Sequence, residues 1–111
     1  MARHKYTAPE IAGMHKWTLD AVVSRVVIGR RVAMLFSPTT RWVHTGLVIE
    51  RMLKRGMEIS HFPGGACCYL MSPTKDSYRP FHVVRPNPCR AICEAAVLAT
   101  QAWRAARRAG E

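Results

Sequence analysis

The chain has 111 residues, about half of them hydrophobic, and 17 Lys and Arg against seven Asp and Glu give a formal net charge of +10. That length fits one domain able to bury a core without disulfide or metal staples, and the hydrophobic share excludes disorder over most of the chain. The positive balance points to a nucleic acid, an acidic protein or an anionic membrane as partner and says nothing about fold.

Residues 1–6 form a basic leader, and 7–111 read as a single domain. Thr7-Ala8-Pro9-Glu10 has the pattern of a helix start, with a Thr cap, Pro just inside and Glu three residues on; Gly13 limits this helix to a turn or two. A second start is expected at Thr18, with Asp20 in the first turn. Leu19, Val22, Val23, Val26 and Val27 then fall at helical spacing. The same stretch is rich in β-branched residues, and residues 32–36 also suit a strand, with Gly29-Arg30 turning between two strands. Helix is preferred over 18–29, while 18–36 as a whole stays open between one helix, two helices and a strand pair.

Ser37-Pro38-Thr39-Thr40 reads as a turn ending in a cap, followed by a helix over 41–55 that stops at Gly56 with Lys54 and Arg55 in its last turn. Residues 57–62 and 66–71 read as two strands of a hairpin, 57–71, around Pro63-Gly64-Gly65. A polar loop over 72–80 leads to a third candidate strand over 81–84. Asn87-Pro88 then opens a C-terminal helix over 88–108, with an Asn cap and no breaker until Gly110. Ile92, Ala96, Ala99 and Trp103 share one of its faces, and Arg90 and Glu94 pair at i,i+4. The expected architecture is α+β: a mostly helical small domain with a β-hairpin.

Helix 41–55 carries the functional reading. Trp42, Gly46, Ile49 and Leu53 lie at i, i+4, i+7 and i+11 and are expected to face the core, with Met52 beside them. His44, Val48, Arg51 and Arg55 repeat that spacing half a turn away as a basic, solvated face, with Arg41 and Thr45 at its leading edge. Such a helix can pack on its scaffold and still offer Arg and His to a groove or a phosphate. A basic surface helix is just as often only a solvated face, with terminal Lys and Arg offsetting the helix dipole.

Lys54-Arg55-Gly56-Met57, then Glu58-Ile59-Ser60, Pro63-Gly64-Gly65 and Cys68-Tyr69-Leu70, resembles the recognition helix and wing of the winged helix-turn-helix family, over about thirty residues. The resemblance implies a winged-helix-like fold and binding of double-stranded DNA, with helix 41–55 in the major groove and the 61–66 tip on the backbone or minor groove. Arg41, His44, Thr45, Arg51 and Arg55 on the helix and His61 at the wing would be the contacting residues. Arg30 and Arg31, with Arg25, Arg3 and Lys5, would add phosphate contacts. The tip itself, 61–66, carries neither Arg nor Lys.

Other chemistries have less behind them. His82, Cys89 and Cys93 are candidate metal ligands, and Cys89 and Cys93 stand one helical turn apart, yet no Cys-x2-Cys knuckle or Cys2His2 spacing occurs. No nucleophile signature, paired carboxylates or phosphate loop suggests an enzyme or a cofactor. The longest apolar run, 32–36, is too short to span a bilayer, no secretory pattern follows the leader, and free thiols suit a reducing compartment, so a cytoplasmic location is expected. The end of the C-terminal helix, with Trp103, Arg104, Arg107 and Arg108, has a weakly apolar face better suited to packing on the core or on a second copy as a homodimer than to lipid. The sequence therefore points to a small, basic, non-enzymatic DNA-binding regulator. The alternative is a phage- or mobile-element-type inhibitor or adaptor that binds an acidic surface of a host protein; a third reading is a metal-stabilised binding domain.

Overall fold

The computed structural model describes residues 5–29, 36–71 and 78–110. Helix α1 (Ala8–Ala12) opens with the expected capping box: Thr7 Oγ1 accepts from the Glu10 N–H at 3.3 Å, and the Glu10 carboxylate accepts from the Thr7 N–H at 3.1 Å. Helix α2 (Lys16–Val23) begins earlier than Thr18, because His15 Nδ1 accepts from the Trp17 N–H at 3.3 Å and supplies the cap. It continues as a π-helical turn, Ser24–Ile28, closed by Gly29. Residues 18–28 are thus helical, and the β-branched side chains expected to favour strands are used differently. Val22, Val23, Val27 and Ile28 are all buried, the wider π turn carrying the last two into the core.

Helix α3 spans Trp42–Lys54, where 41–55 was expected. Its N-cap is Arg41, with no side-chain capping bond. Thr40 does not cap it; the start is fixed by the turn before it. The Thr39 N–H donates to buried Asp20 Oδ1 at 3.0 Å, Asn87 Nδ2 donates to the Thr39 carbonyl at 2.9 Å, and the Thr45 hydroxyl donates to the Pro38 carbonyl at 2.6 Å. At its other end the Met57 N–H reaches back to the Met52 carbonyl and the Gly56 N–H to that of Leu53, both at 2.9 Å. Gly56 sits at φ +80°, a left-handed residue that lets the chain reverse while Met52 and Met57 are both buried.

Strands β1 (Glu58–Phe62), β2 (Gly65–Met71) and β3 (Tyr78–Val84) form an antiparallel sheet in the order β1-β2-β3. Gly65 is the first residue of β2, paired with Phe62, rather than part of the turn. Only glycine fits there, since a Cβ would run into the Val83 carbonyl oxygen and the Phe62 ring. Ala66, Cys68 and Leu70 face the core; Cys67, Tyr69 and their register partners His82 and Pro80 face the other way.

Helix α4 (Pro88–Gly110) is the axis of the domain. Asn87 Oδ1 caps it by accepting from the Cys89 N–H at 3.0 Å. It packs against the sheet, α3, α2 and α1. From Ala91 to Ala99 the small and apolar side chains Ala91, Ile92, Cys93, Ala95, Ala96, Val97 and Ala99 are all buried, so this stretch is covered all round rather than along one stripe. Ile92, Ala96 and Ala99 are therefore spent on the domain's own core. Cys68 and Cys93 are core thiols: burial, then the neighbouring Cys67, pushes Cys68 up to about 12, and burial also holds Cys93 well above the usual range. No helix among the described residues is long and apolar enough to cross a membrane.

The Glu94 carboxylate, 3% exposed, is the most demanding charge in this core. Arg85 grips both its oxygens, at 2.9 and 3.2 Å, and Arg90 Nε reaches Oε2 at 2.8 Å. Arg90 also donates to the carbonyls of Ile11 (3.1 Å) and Met14 (2.7 Å), at the end of α1. Replacing Glu94 by Gln leaves two arginines partly buried without their anion and should lower unfolding free energy by roughly 3 kcal/mol, read as a shifted urea midpoint at unchanged slope. A midpoint within error of the parent would show that the cluster contributes nothing net.

Candidate nucleic-acid interface

The helical face of α3 is rotated from the expected one. Thr45, Val48 and Met52 are the buried residues, and Ile49 is half-buried. Trp42 is 51% exposed, Val43 80%, Leu47 48% and Leu53 55%. Apolar side chains cover more than half the circumference of this helix, so periodicity alone admits both phases; the bond from Thr45 to Pro38 selects the observed one. The Trp42–Leu53 face expected in the core thus looks outward, and Val48, expected on the wet face, looks inward.

This rotation scatters the predicted contact residues. Thr45 is fully buried and has no side chain to offer a ligand. His44 is half-buried, its Nδ1 accepting from the Ser37 N–H at 2.8 Å, and its ring lies 5.4 Å from that of Phe36. Arg41 is exposed at the N-cap, and His61 is exposed on β1 with its ring 5.3 Å from Trp42. Both lie at the opposite end of α3 from Arg51 and Arg55. Arg30 and Arg31 lie outside the described residues. The candidate metal ligands are not brought together: His82 is on the open face of the sheet, while Cys89 and Cys93 are buried on α4 behind it. Among the described residues, no three His, Cys, Asp or Glu side chains are grouped to hold a metal ion.

Arg55 instead joins residues from α4, with Arg51 close enough to act on its charge. The Trp103 ring has the Arg55 guanidinium 5.2 Å from its centroid and that of Arg107 at 4.9 Å, two cation–π contacts on one indole. Arg55 also donates to Thr100 Oγ1 at 3.4 Å, and the Thr100 hydroxyl lies 3.3 Å from the Met52 sulfur, which fixes the last turn of α3 against α4. Burial, then Arg104, then Arg51 lowers Arg55 from the usual arginine range to about 10. At neutral pH the group is still charged, so the fold holds three guanidinium groups within mutual repulsion. Glu50, the neighbour of Arg51 in sequence, is engaged with Lys54 at 3.3 Å.

The sequence pointed to Arg51 and Arg55 but assigned Trp103, Arg104 and Arg107 to packing. The available signal was Trp103-Arg107 at i,i+4 beside a helix end rich in cations, which needs the position of α3 before it becomes a site. Compared with known protein families, curated proteins and solved structures, the chain gives no match.

Crowded like charges predict that added salt stabilises the domain. The melting temperature should rise between low salt and about 0.15 M, where the screening length falls to about 8 Å. Arg51→Gln removes one of the repelling charges and leaves the Trp103 contacts in place, so it should raise the low-salt melting temperature and flatten the rise. An unchanged salt dependence in that variant would show that Arg51 takes no part in the repulsion.

Proposed function

We propose that this small α+β, winged-helix-like domain is a non-enzymatic regulator that binds double-stranded DNA through the arginine face at the ends of α3 and α4. The observation that carries the reading is the convergence on one end of α3 and α4: Arg55 and Arg107 share the Trp103 ring, and Arg104 and Arg51 lie close enough to act on the Arg55 charge. Folding holds these like charges together at an electrostatic cost, and a polyanion relieves it. Guanidinium groups suit phosphate oxygens because they offer forked donors at fixed geometry. In this reading α3 meets the duplex with its last turn, and the wing is not the main contact. The outward face of its first turns, with Trp42, Val43 and Leu47, is too apolar to follow a phosphate backbone.

That same apolar flank favours a second reading, an adaptor or inhibitor that docks on an acidic host-protein surface through α3. Duplex binding measured by fluorescence anisotropy separates the two. Four arginines on phosphates should give a slope of log K against log salt of about −4, and the Arg51→Glu, Arg107→Glu double variant should bind at least about tenfold more weakly while keeping its circular dichroism. Arg41→Glu, at the far end of α3, should cost much less. Absence of duplex binding at physiological salt, with retention of a host protein after nuclease treatment, would overturn the DNA reading in favour of the adaptor.

A further inference from the structure

Helix α3 turns an apolar arc to water. Trp42, Val43, Leu47 and Leu53, each about half exposed or more, leave on the order of 400 Å² of apolar surface uncovered, the size of a patch that is often functional. The half-buried Ile49 makes the arc continuous from Trp42 to Leu53, and the His61 ring beside Trp42 carries it onto β1. Gly46 lies in the middle of the arc. A glycine inside a helix weakens it relative to alanine, yet a Cβ here would meet nothing within 4 Å among the described residues. The missing side chain leaves a notch, with Leu47 beside it as a knob. The other long helix is committed elsewhere. The stretch of α4 from Ala91 to Ala99 lies mostly in the core, and Trp103 carries Arg55 and Arg107. Between them the Tyr6 N–H donates to Gln101 Oε1 at 2.8 Å, and Gln101 Nε2 donates back to the Tyr6 carbonyl at 2.9 Å.

A notch and a knob at consecutive positions complement themselves. A two-fold axis passing between them sets Leu47 of each copy over Gly46 of the other and runs the two helices antiparallel, so the same patch is used twice. We propose that a second copy of this chain covers the outward face of α3, the two helices pairing antiparallel across Gly46 and Leu47 with Trp42, Val43 and Leu53 covered around them. In that register position 43 of one copy faces position 50 of the other. Glu50 thereby comes over the first turn of the other copy's α3, which has an exposed Arg41, no side-chain cap and no acidic residue of its own. That end of a helix favours an anion. Two such faces with their polar rim bury about 1,000 Å², enough for a specific interface of the smaller kind. The proposal goes beyond the DNA reading and uses none of the arginines gathered at Trp103, which antiparallel pairing carries to opposite ends of the dimer.

Sedimentation equilibrium of the full chain tests it. The expected result is a monomer–dimer equilibrium with a dissociation constant of about 10 µM at about 0.15 M salt. Each copy carries a formal charge of +10, so association should tighten as salt screens that repulsion, the reverse of duplex binding. Val43→Glu sets a carboxylate opposite Glu50 and should weaken association at least about tenfold. Val43→Lys sets a cation there and should weaken it less, which is the opposite of the order that net charge alone would give. Gly46→Gln fills the notch with a better helix former, so the monomer should melt at a higher temperature while association weakens at least about tenfold. Arg107→Glu, on α4, should weaken duplex binding without weakening self-association, so the two readings fail separately. A chain that stays monomeric to about 0.3 mM leaves this flank to a host protein and overturns the proposal. Association that Val43→Glu and Gly46→Gln leave intact overturns it too, as does a Lys variant that associates no more tightly than the Glu variant.

Discussion

A carboxylate buried in the middle of the longest helix constrains the rest of the molecule. Glu94 is tolerable there only because Arg85 arrives from the end of β3 and Arg90 from one turn earlier on α4. Arg90 cannot be moved independently, because its remaining donors satisfy the carbonyls that end α1. Sheet, central helix and amino-terminal helix are therefore registered to one another through a single anion. Hydrophobic burial supplies the bulk of the stability, but it is non-directional; the ion cluster specifies how these elements meet.

The arginine face follows from that registration. Once α4 is fixed, its buried length ends near Thr100 and its last turns emerge carrying Trp103, Arg104 and Arg107. The glycine turn after α3 delivers Arg55 to the same place, and the π-helical turn after α2 delivers Arg25 close by, in a groove that Arg104 also lines. Three helices thus end near one another. Cations at helix C-termini interact favourably with the unpaired carbonyls there, so part of the repulsion among these arginines is offset locally. Service to the helix ends and availability to an external anion are compatible, because the former is supplied by field and the latter by directed N–H groups.

Much of the architecture could be read from local chemistry. The Thr7–Glu10 box, the Asn87-Pro88 start and the Gly56 stop are short-range signals, and the structure uses each of them. The α+β class with a hairpin followed from them and from strand-like runs. The phase of α3 was not readable, because Trp42, Val43, Leu47, Val48, Ile49, Met52 and Leu53 allow more than one inward face. The choice among them is made by Thr45 and Asp20 engaging a loop 19 residues from Asp20 in sequence. The pair Arg90–Glu94 was visible as helical spacing, but its burial was not, since that depends on Arg85 and on α1. The candidate site was half legible for the same reason: charge marked Arg51 and Arg55, while the meeting of Arg55 with Trp103 is a tertiary event.

The reciprocal pair of hydrogen bonds between Tyr6 and Gln101 joins positions 95 residues apart. The chain is in effect a closed ring with its clasp beside the groove. Holding that clasp confines nearly the whole polypeptide, and the entropy of closing so large a loop grows only logarithmically with its length. A linker tying the first helix to the last would impose the same closure covalently. The chain would then be free to open elsewhere, the tight turn at Pro63-Gly64 being a suitable place, and a circularly permuted domain of the same topology would result.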